Sequence, residues 1–354
     1  MIKNLYRLSQ VAIVVTAVVI ILGAYTRLTD AGLGCPDWPG CYGFLTVPTE
    51  VSDISEAEQA FPERPVEAHK AWNEMIHRYF AGSLGLIILA IFIMSLKARL
   101  PMLLPSVLLA TVCFQAALGM WTVTMNLQPA VVMGHLLGGF TTFSLLLLMT
   151  LQLRQKIKAS WIPKLELKVR PSLIIGFKLA TVVLVLQIAL GGWTASNYAA
   201  VACIELPVCE SGWQERFDLK QALSIPTGHA DYEFGVFPYE ARMTIHILHR
   251  FGALFTTLIL VGLIWKLFSY RQAASNKMAW SLSGFLTLQV LLGLSNVVFH
   301  LPLAVAVAHN FVAACLLLTL LTSWFICQKK FVMGLDELNQ GQTSSTFSNA
   351  TQGV

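Results

Sequence analysis

Charge is what this chain has least of: Asp, Glu, Lys and Arg make up 12% of its 354 residues, against roughly a quarter in ordinary soluble domains. So few charges exclude a conventional water-facing surface, and the 56% of hydrophobic residues must in large part face lipid. A secretory cleavage pattern is also missing. Lys3 and Arg7 precede an apolar run, but the run continues into Gly23-Ala24-Tyr25-Thr26-Arg27 without a small-x-small site, so the segment is expected to remain as a first membrane helix.

What the chain does have is eight apolar segments, near 8–26, 75–96, 102–123, 131–152, 172–194, 244–267, 279–298 and 304–326. Each is long enough for a hydrocarbon core of about 30 Å, which takes roughly 20 helical residues. The expected fold is therefore an all-α integral membrane protein of eight transmembrane helices. Its net charge of +5 does not require a nucleic-acid partner. Lys3, Arg7, Lys97, Arg99, Arg154, Lys156, Arg271 and Lys277, with the other basic residues of the same connections, fall on one side of the threading. By the positive-inside rule that side is cytoplasmic and holds both termini. Two long loops, about 27–74 and 195–243, are rich in Asp and Glu and face the other side, the periplasm of a bacterial inner (plasma) membrane.

The chain also repeats itself. At a shift of 168 residues Gly23 meets Gly191, Cys35 meets Cys203, Pro39 meets Pro207 and Cys41 meets Cys209. At 172, Glu74-Met-Ile-His77-Arg78 meets His246-Ile-Leu-His249-Arg250, and at 174 Gln115, Gly119 and His135 meet Gln289, Gly293 and His309. Each half has four spans and both begin on the same side, so the repeat is parallel, with a pseudo-twofold along the membrane normal. The expected organisation is a four-helix bundle over 1–153, a cytoplasmic linker over 154–171, a second four-helix bundle over 172–330, and a disordered polar tail over 331–354.

Ionisable residues inside spans are costly and usually mark function. His77 with His135, and His249 with His309, place two imidazoles at similar depth, about one turn inside the outer end of neighbouring antiparallel helices. That arrangement suits the two axial ligands of one haem per half. Zinc accepts imidazole equally well, but each half has only two such histidines and the second lacks an adjacent carboxylate. Arg78 and Arg250 follow the second-helix histidines, where a guanidinium serves either as a haem-propionate partner or as a snorkelling interfacial cation. Glu74 lies three residues before His77 on the same face, and His246 occupies its place in the second half. A carboxylate beside iron acts as a base or stabilises a developing cation; the plainer alternative is a solvated glutamate at a helix start. Cys35 with Cys41 and Cys203 with Cys209 lie in the outer loops, where an oxidising compartment permits one disulfide per half, structural in one reading and redox-active in the other. Cys113, Cys315 and Cys327 read as small packing residues.

Arg27-Leu-Thr-Asp-Ala-Gly-Leu-Gly-Cys35-Pro-Asp-Trp-Pro-Gly-Cys41, followed by Glu74-Met-Ile-His77-Arg78, closely resembles the haem A synthase family of cytochrome oxidase assembly, and the resemblance covers essentially all eight spans. It implies that the N-terminal bundle binds the substrate haem through His77 and His135, that Glu74 is catalytic, and that His249 and His309 ligate a haem b in the C-terminal bundle. The implied reaction oxidises the C8 methyl of haem o to a formyl group, through a hydroxymethyl intermediate, giving haem a. The implied partners are haem o synthase and cytochrome oxidase subunits, and an oligomer is compatible with this reading. A dihaem b electron carrier working with quinol is the alternative. A transporter, which parallel repeats also serve, would need broken helices at the midplane.

Overall fold

A computed structural model describes residues 1–158 and 169–350, with side chains described as far as Lys330. The tail expected to be disordered lies outside the residues whose side chains are described, as does part of the 154–171 linker. Among the described residues the chain is all helical: α1 Ile2–Leu28, α2 Val51–Ala60, α3 Ala68–Lys97, α4 Leu103–Thr124, α5 Pro129–Ile157, α6 Pro171–Ser196, α7 Leu219–Ala222, α8 Tyr239–Ser269, α9 Ala273–Val298 and α10 Leu303–Ala350. Eight of these, all but α2 and α7, are long and apolar enough to cross a membrane. All eight expected spans are present, and most outrun their apolar windows at one or both ends because a helix continues past the hydrocarbon as long as its backbone bonds are satisfied. The largest difference is at α10, which runs to Ala350 past an expected end near 326; the next is at α3, which starts at Ala68 inside what the sequence suggested was loop.

Local chemistry sets the helix ends. Pro129 and Pro171 occupy first-turn positions, where a missing N–H costs nothing, and the Gln128 side chain caps α5 by accepting from the Val131 N–H at 3.0 Å. Gln272 and Ser275 form a reciprocal capping box at the start of α9. Beyond the helix C-termini the backbone turns left-handed at non-glycine residues, and the turns recur in pairs: Asp30 with Tyr198, Arg99 with Arg271, Asn126 with His300, and Leu127 with Leu301. These pairs keep the repeat shifts of 168, 172 and 174 residues, so the duplication extends to backbone conformation.

Small and apolar side chains knit the spans together, while large apolar ones such as Leu86 and Trp265, more than 70% exposed, face outward as lipid requires. In the first half Leu5 and Ala12 of α1 pack with Ile88 and Ile91 of α3, Leu108 of α4 and Leu146 of α5. The Thr150 hydroxyl donates to the Ser9 Oγ at 2.9 Å, a buried link between α5 and α1 of a kind worth about 0.6 kcal/mol in a bilayer. The core of the second half includes Phe177, Leu260, Leu282 and Leu320 and runs on into Ile20, Phe140 and Phe143 of the first half, so the halves share packing.

At the loop-bearing end the two halves touch through equivalent positions. Arg27 donates to the Ala195 carbonyl at 2.8 Å and lies 3.9 Å over the Tyr198 ring, and the Tyr198 hydroxyl donates to Asp30 at 3.3 Å. Arg27 with Ala195, and Asp30 with Tyr198, are each separated by 168 residues, the repeat shift itself. Residues in equivalent places contact each other only where a twofold axis passes between them. Arg64 adds a second link across the halves, to Asp231 at 2.5 Å and Glu233 at 2.8 Å.

Candidate haem-binding site

His77 sits on α3, His135 on α5, His249 on α8 and His309 on α10. Because the helices begin further out than the sequence suggested, His77 and His249 lie more than two turns inside, rather than one. The rings of His77 and His135 face each other with centroids 6.4 Å apart and planes at 78°. Two imidazoles bound to one metal ion at about 2 Å, with roughly 1 Å from each nitrogen to its ring centre, put the centroids about 6 Å apart. That spacing fits one iron. His249 and His309 are likewise electrostatic neighbours in the second half.

Each ring rests against a glycine of the preceding spanning helix. Cβ atoms built at Gly23, Gly119, Gly191 and Gly293 would stand 3.0, 3.2, 3.1 and 3.1 Å from Cε1 of His77, His135, His249 and His309 respectively. Any side chain there would displace the imidazole. The sequence reading used these glycines only to register the repeat; the signal that marks them is their position on the helix before each histidine. A second partner also escaped it. The Gln115 and Gln187 amides approach Nδ1 of His135 and His249 at 3.1 and 3.0 Å, whereas the Gln289 amide approaches Nε2 of His309 at 3.2 Å. Ligating histidines are commonly oriented through their non-ligating nitrogen, which for an Nε2 ligand is the Nδ1 that Gln115 and Gln187 face.

The side chains fit a haem better than a bare metal ion. Among the described residues no three His, Cys, Asp or Glu side chains converge as a metal site, whereas a porphyrin fills four positions itself and needs only the axial pair. The Nδ1 atoms of His77 and His309 are buried without a hydrogen-bond partner, which is costly unless a ligand is part of the design.

Glu74 is 5% exposed and stands in the second turn of α3, so it is not a solvated helix-start glutamate. One carboxylate oxygen accepts from the Arg78 guanidinium at 2.5 Å and the other from the Cys35 backbone N–H at 3.2 Å. The loop reaches it because Gly34 lies on the α3 backbone, where a Cβ would be 2.6 Å from the Lys70 carbonyl. In the second half His246 takes this place; it is also 5% exposed, with an unpartnered Nδ1.

The arginines point into the loops. Arg78 donates to the carbonyls of Asp37, at 2.9 Å, and Gly40; Arg250 donates to those of Glu205, at 2.6 Å, and Val208. These acceptors correspond at the 168-residue shift. The remaining fork of Arg78 holds Glu74, and that of Arg250 turns to the Cys203 carbonyl at 2.5 Å. Both disulfides, Cys35–Cys41 and Cys203–Cys209, are formed, and each closes the loop its arginine grips. Asp37 accepts from the N–H groups of Tyr42 and Gly43 at 2.6 and 2.8 Å. The Tyr42 hydroxyl donates to the Pro65 carbonyl at 3.0 Å, and burial, followed by the charge of Glu67, pushes its pKa up to about 12. Of the other cysteines, Cys327 is buried as expected, but Cys113 is exposed on α4 and does not pack inside.

The sequence model of the COX15-CtaA family, described as cytochrome oxidase assembly protein, matches residues 6–321. The chain is 50% identical to the haem A synthase of Shewanella oneidensis over 325 residues, covering 91% of this chain and 96% of that one. The chain belongs to the haem A synthase family. More distant members align over a similar span: that of Erythrobacter litoralis is 27% identical over 86% of this chain and 91% of its own, and that of Bacillus licheniformis 24% identical over 89% and 93%. In this haem A synthase family member, then, the two half-sites share their histidines, glycines and loop-gripping arginines, and differ in the residue three places before the second-helix histidine.

Proposed function

We propose that this protein is a haem A synthase that oxidises the C8 methyl of haem o to a formyl group, giving haem a for cytochrome oxidase. The observation that carries the reading is the contrast between the half-sites: equivalent imidazole pairs, with a buried carboxylate, Glu74, beside only one of them. In this reading His77 and His135 hold the substrate haem in the N-terminal bundle over 1–153, and His249 and His309 hold a haem b in the C-terminal bundle over 172–330. The bound haem b supplies one-electron transfer. In the same reading Glu74 serves as a base or as a stabiliser of positive charge developing on the substrate. Arg78 holds that carboxylate in place, and the Cys35–Cys41 loop closes over it.

The basic connections put both termini in the cytoplasm and the cysteine loops in the periplasm of the cell inner membrane. Haem o synthase and cytochrome oxidase subunits are the partners this function calls for. The test is to purify the protein from cells that also make haem o, extract its haems, and identify them by chromatography and mass. Haem b together with haem o or haem a supports the synthase. Haem b alone, with haem o available, overturns it in favour of a dihaem electron carrier.

A further inference from the structure

One arginine at the outer end of the second half has no partner. Arg242 stands in the first turn of α8 with its Nε buried and unbonded. Among the described residues its guanidinium makes no hydrogen bond, ion pair or ring contact. A cation there also opposes the helix dipole, which favours negative charge at a helix N-terminus. At the 172-residue shift its counterpart is Lys70 of α3, which pairs with Glu67 at 2.9 Å. In the second half the place of Glu67 is taken by Tyr239. The acids of the second loop that reach α8 are engaged elsewhere. Glu210 accepts from the Tyr239 hydroxyl and pairs with Arg216 at 3.2 Å. Asp218, whose N–H meets the Thr244 hydroxyl, caps α7 by accepting from the Gln221 N–H at 2.9 Å.

Arg242 begins a stripe. His246 lies four residues and His249 seven residues further along, so the three share one face of α8. By the helical rise, His246 and Arg242 stand roughly 4.5 and 10 Å further out than His249. One side of the buried His246 ring lies against the Ala199 main chain, and its Nδ1 has no hydrogen-bond partner of good geometry. Arg250 has both terminal nitrogens on the carbonyls of Glu205, Val208 and Cys203. This face of the second half thus carries an unpaired cation and an imidazole, and no carboxylate. The same face of the first half is balanced: Lys70 pairs with Glu67, and Glu74 pairs with Arg78.

An unpaired guanidinium one turn beyond a buried imidazole is suited to a carboxylate, which accepts charge-assisted hydrogen bonds from both. A haem ligated by His249 and His309 carries two carboxylates, its propionates. They turn toward the nearer aqueous side, here the outer end of α8, because burying an ionised group is costly. We infer that Arg242 and His246 bind a propionate of haem b, and that the first half has no equivalent anchor because Glu74 repels a carboxylate at that place. The haem that stays is then held by its axial ligands and by its acid edge, and the haem that is exchanged lacks this second hold. The inference rests on the proposed haem b site of the second half.

The test uses protein purified from cells that make haem b but not haem o. Resonance Raman spectra read the propionate bending mode, which moves with hydrogen bonding to the carboxylate, and redox titration reads the potential. Arg242→Leu is expected to shift the mode and to lower the potential, because an uncompensated carboxylate stabilises the ferric haem. It is also expected to speed haem transfer to excess apomyoglobin several-fold. Arg242→Gln is expected to shift the mode in the same direction, and Arg242→Lys to restore much of the potential. His246→Glu writes the first-half residue into the second half and is expected to speed haem b loss, whereas His246→Gln stays close to wild type. Arg216→Leu, which removes a loop arginine paired with Glu210, is expected to change none of these. An unmoved propionate mode in both Arg242→Leu and Arg242→Gln overturns the inference even where the potential falls, since charge acts at a distance and a hydrogen bond does not. Equal shifts in Arg216→Leu overturn it as well. A protein that never takes up haem o when it is supplied would instead overturn the proposed function while leaving the response of haem b to Arg242→Leu in place, so the two failures are distinguishable.

Discussion

Glu74 and Arg78, one turn apart on α3, form a buried ion pair at 2.5 Å whose carboxylate is also held by the backbone of Cys35. The pair joins the candidate site to the disulfide loop, since the same guanidinium donates to the loop carbonyls of Asp37 and Gly40. Glu74→Gln keeps an acceptor for Cys35 and Arg78 but removes the charge. It is expected to lower conversion of haem o to haem a on the order of a hundredfold or more, the usual range for a general acid or base, with the haem b spectrum unchanged. Haem extraction from membranes of the variant is the check, and conversion at the normal rate would remove Glu74 from the chemistry.

Gly191 is the site of the sharpest steric prediction. Gly191→Ala places a methyl group 3.1 Å from Cε1 of His249, and the ring, wedged between α6 and α8, must move aside. The expected result is loss of most haem b from the purified protein, read as the haem-to-protein ratio, while the N-terminal haem is retained. Gly23→Ala, 3.0 Å from His77, is expected to do the reverse.

The loop disulfides are predicted to act structurally. Cys35→Ser with Cys41→Ser removes a closure between residues six apart, which is expected to cost about 2 kcal/mol of stability and lower the melting temperature in detergent. Conversion of haem o should persist at the lower temperatures where the loop stays folded. Loss of conversion with an unchanged melting temperature would point to thiol exchange instead.

Tyr42 gives the loop a dependence on alkaline pH. Its folded pKa, pushed up to about 12 mainly by burial, lies above the ordinary value of 10.0. The neutral phenol therefore contributes stability that is fully present below pH 10 and lost as the pH rises through about 12. Wild type is expected to lose stability more steeply than Tyr42→Phe across that window. Parallel unfolding curves would rule out the phenol as the cause.

What the sequence alone determined is whatever depends on composition along one dimension. Eight spans are legible because crossing a bilayer needs an uninterrupted apolar length, which no folding partner has to supply. The duplication is legible because cysteines, glycines and His-Arg pairs recur at nearly constant shifts, and the histidines stand out because a titratable group inside an apolar run is rarely idle. The tertiary structure decided which way those residues point and what they meet. α3 begins at Ala68 because loop residues fold onto its first turns, and this buries Glu74 where the sequence left open a solvated helix start. Arg78 and Arg250 turn to loop carbonyls because the disulfide-closed loops bring bare oxygens within reach of their forks. The glycines and glutamines behind the imidazoles acquire a role only when neighbouring helices meet at a particular depth and rotation, and helix-to-helix packing sets both.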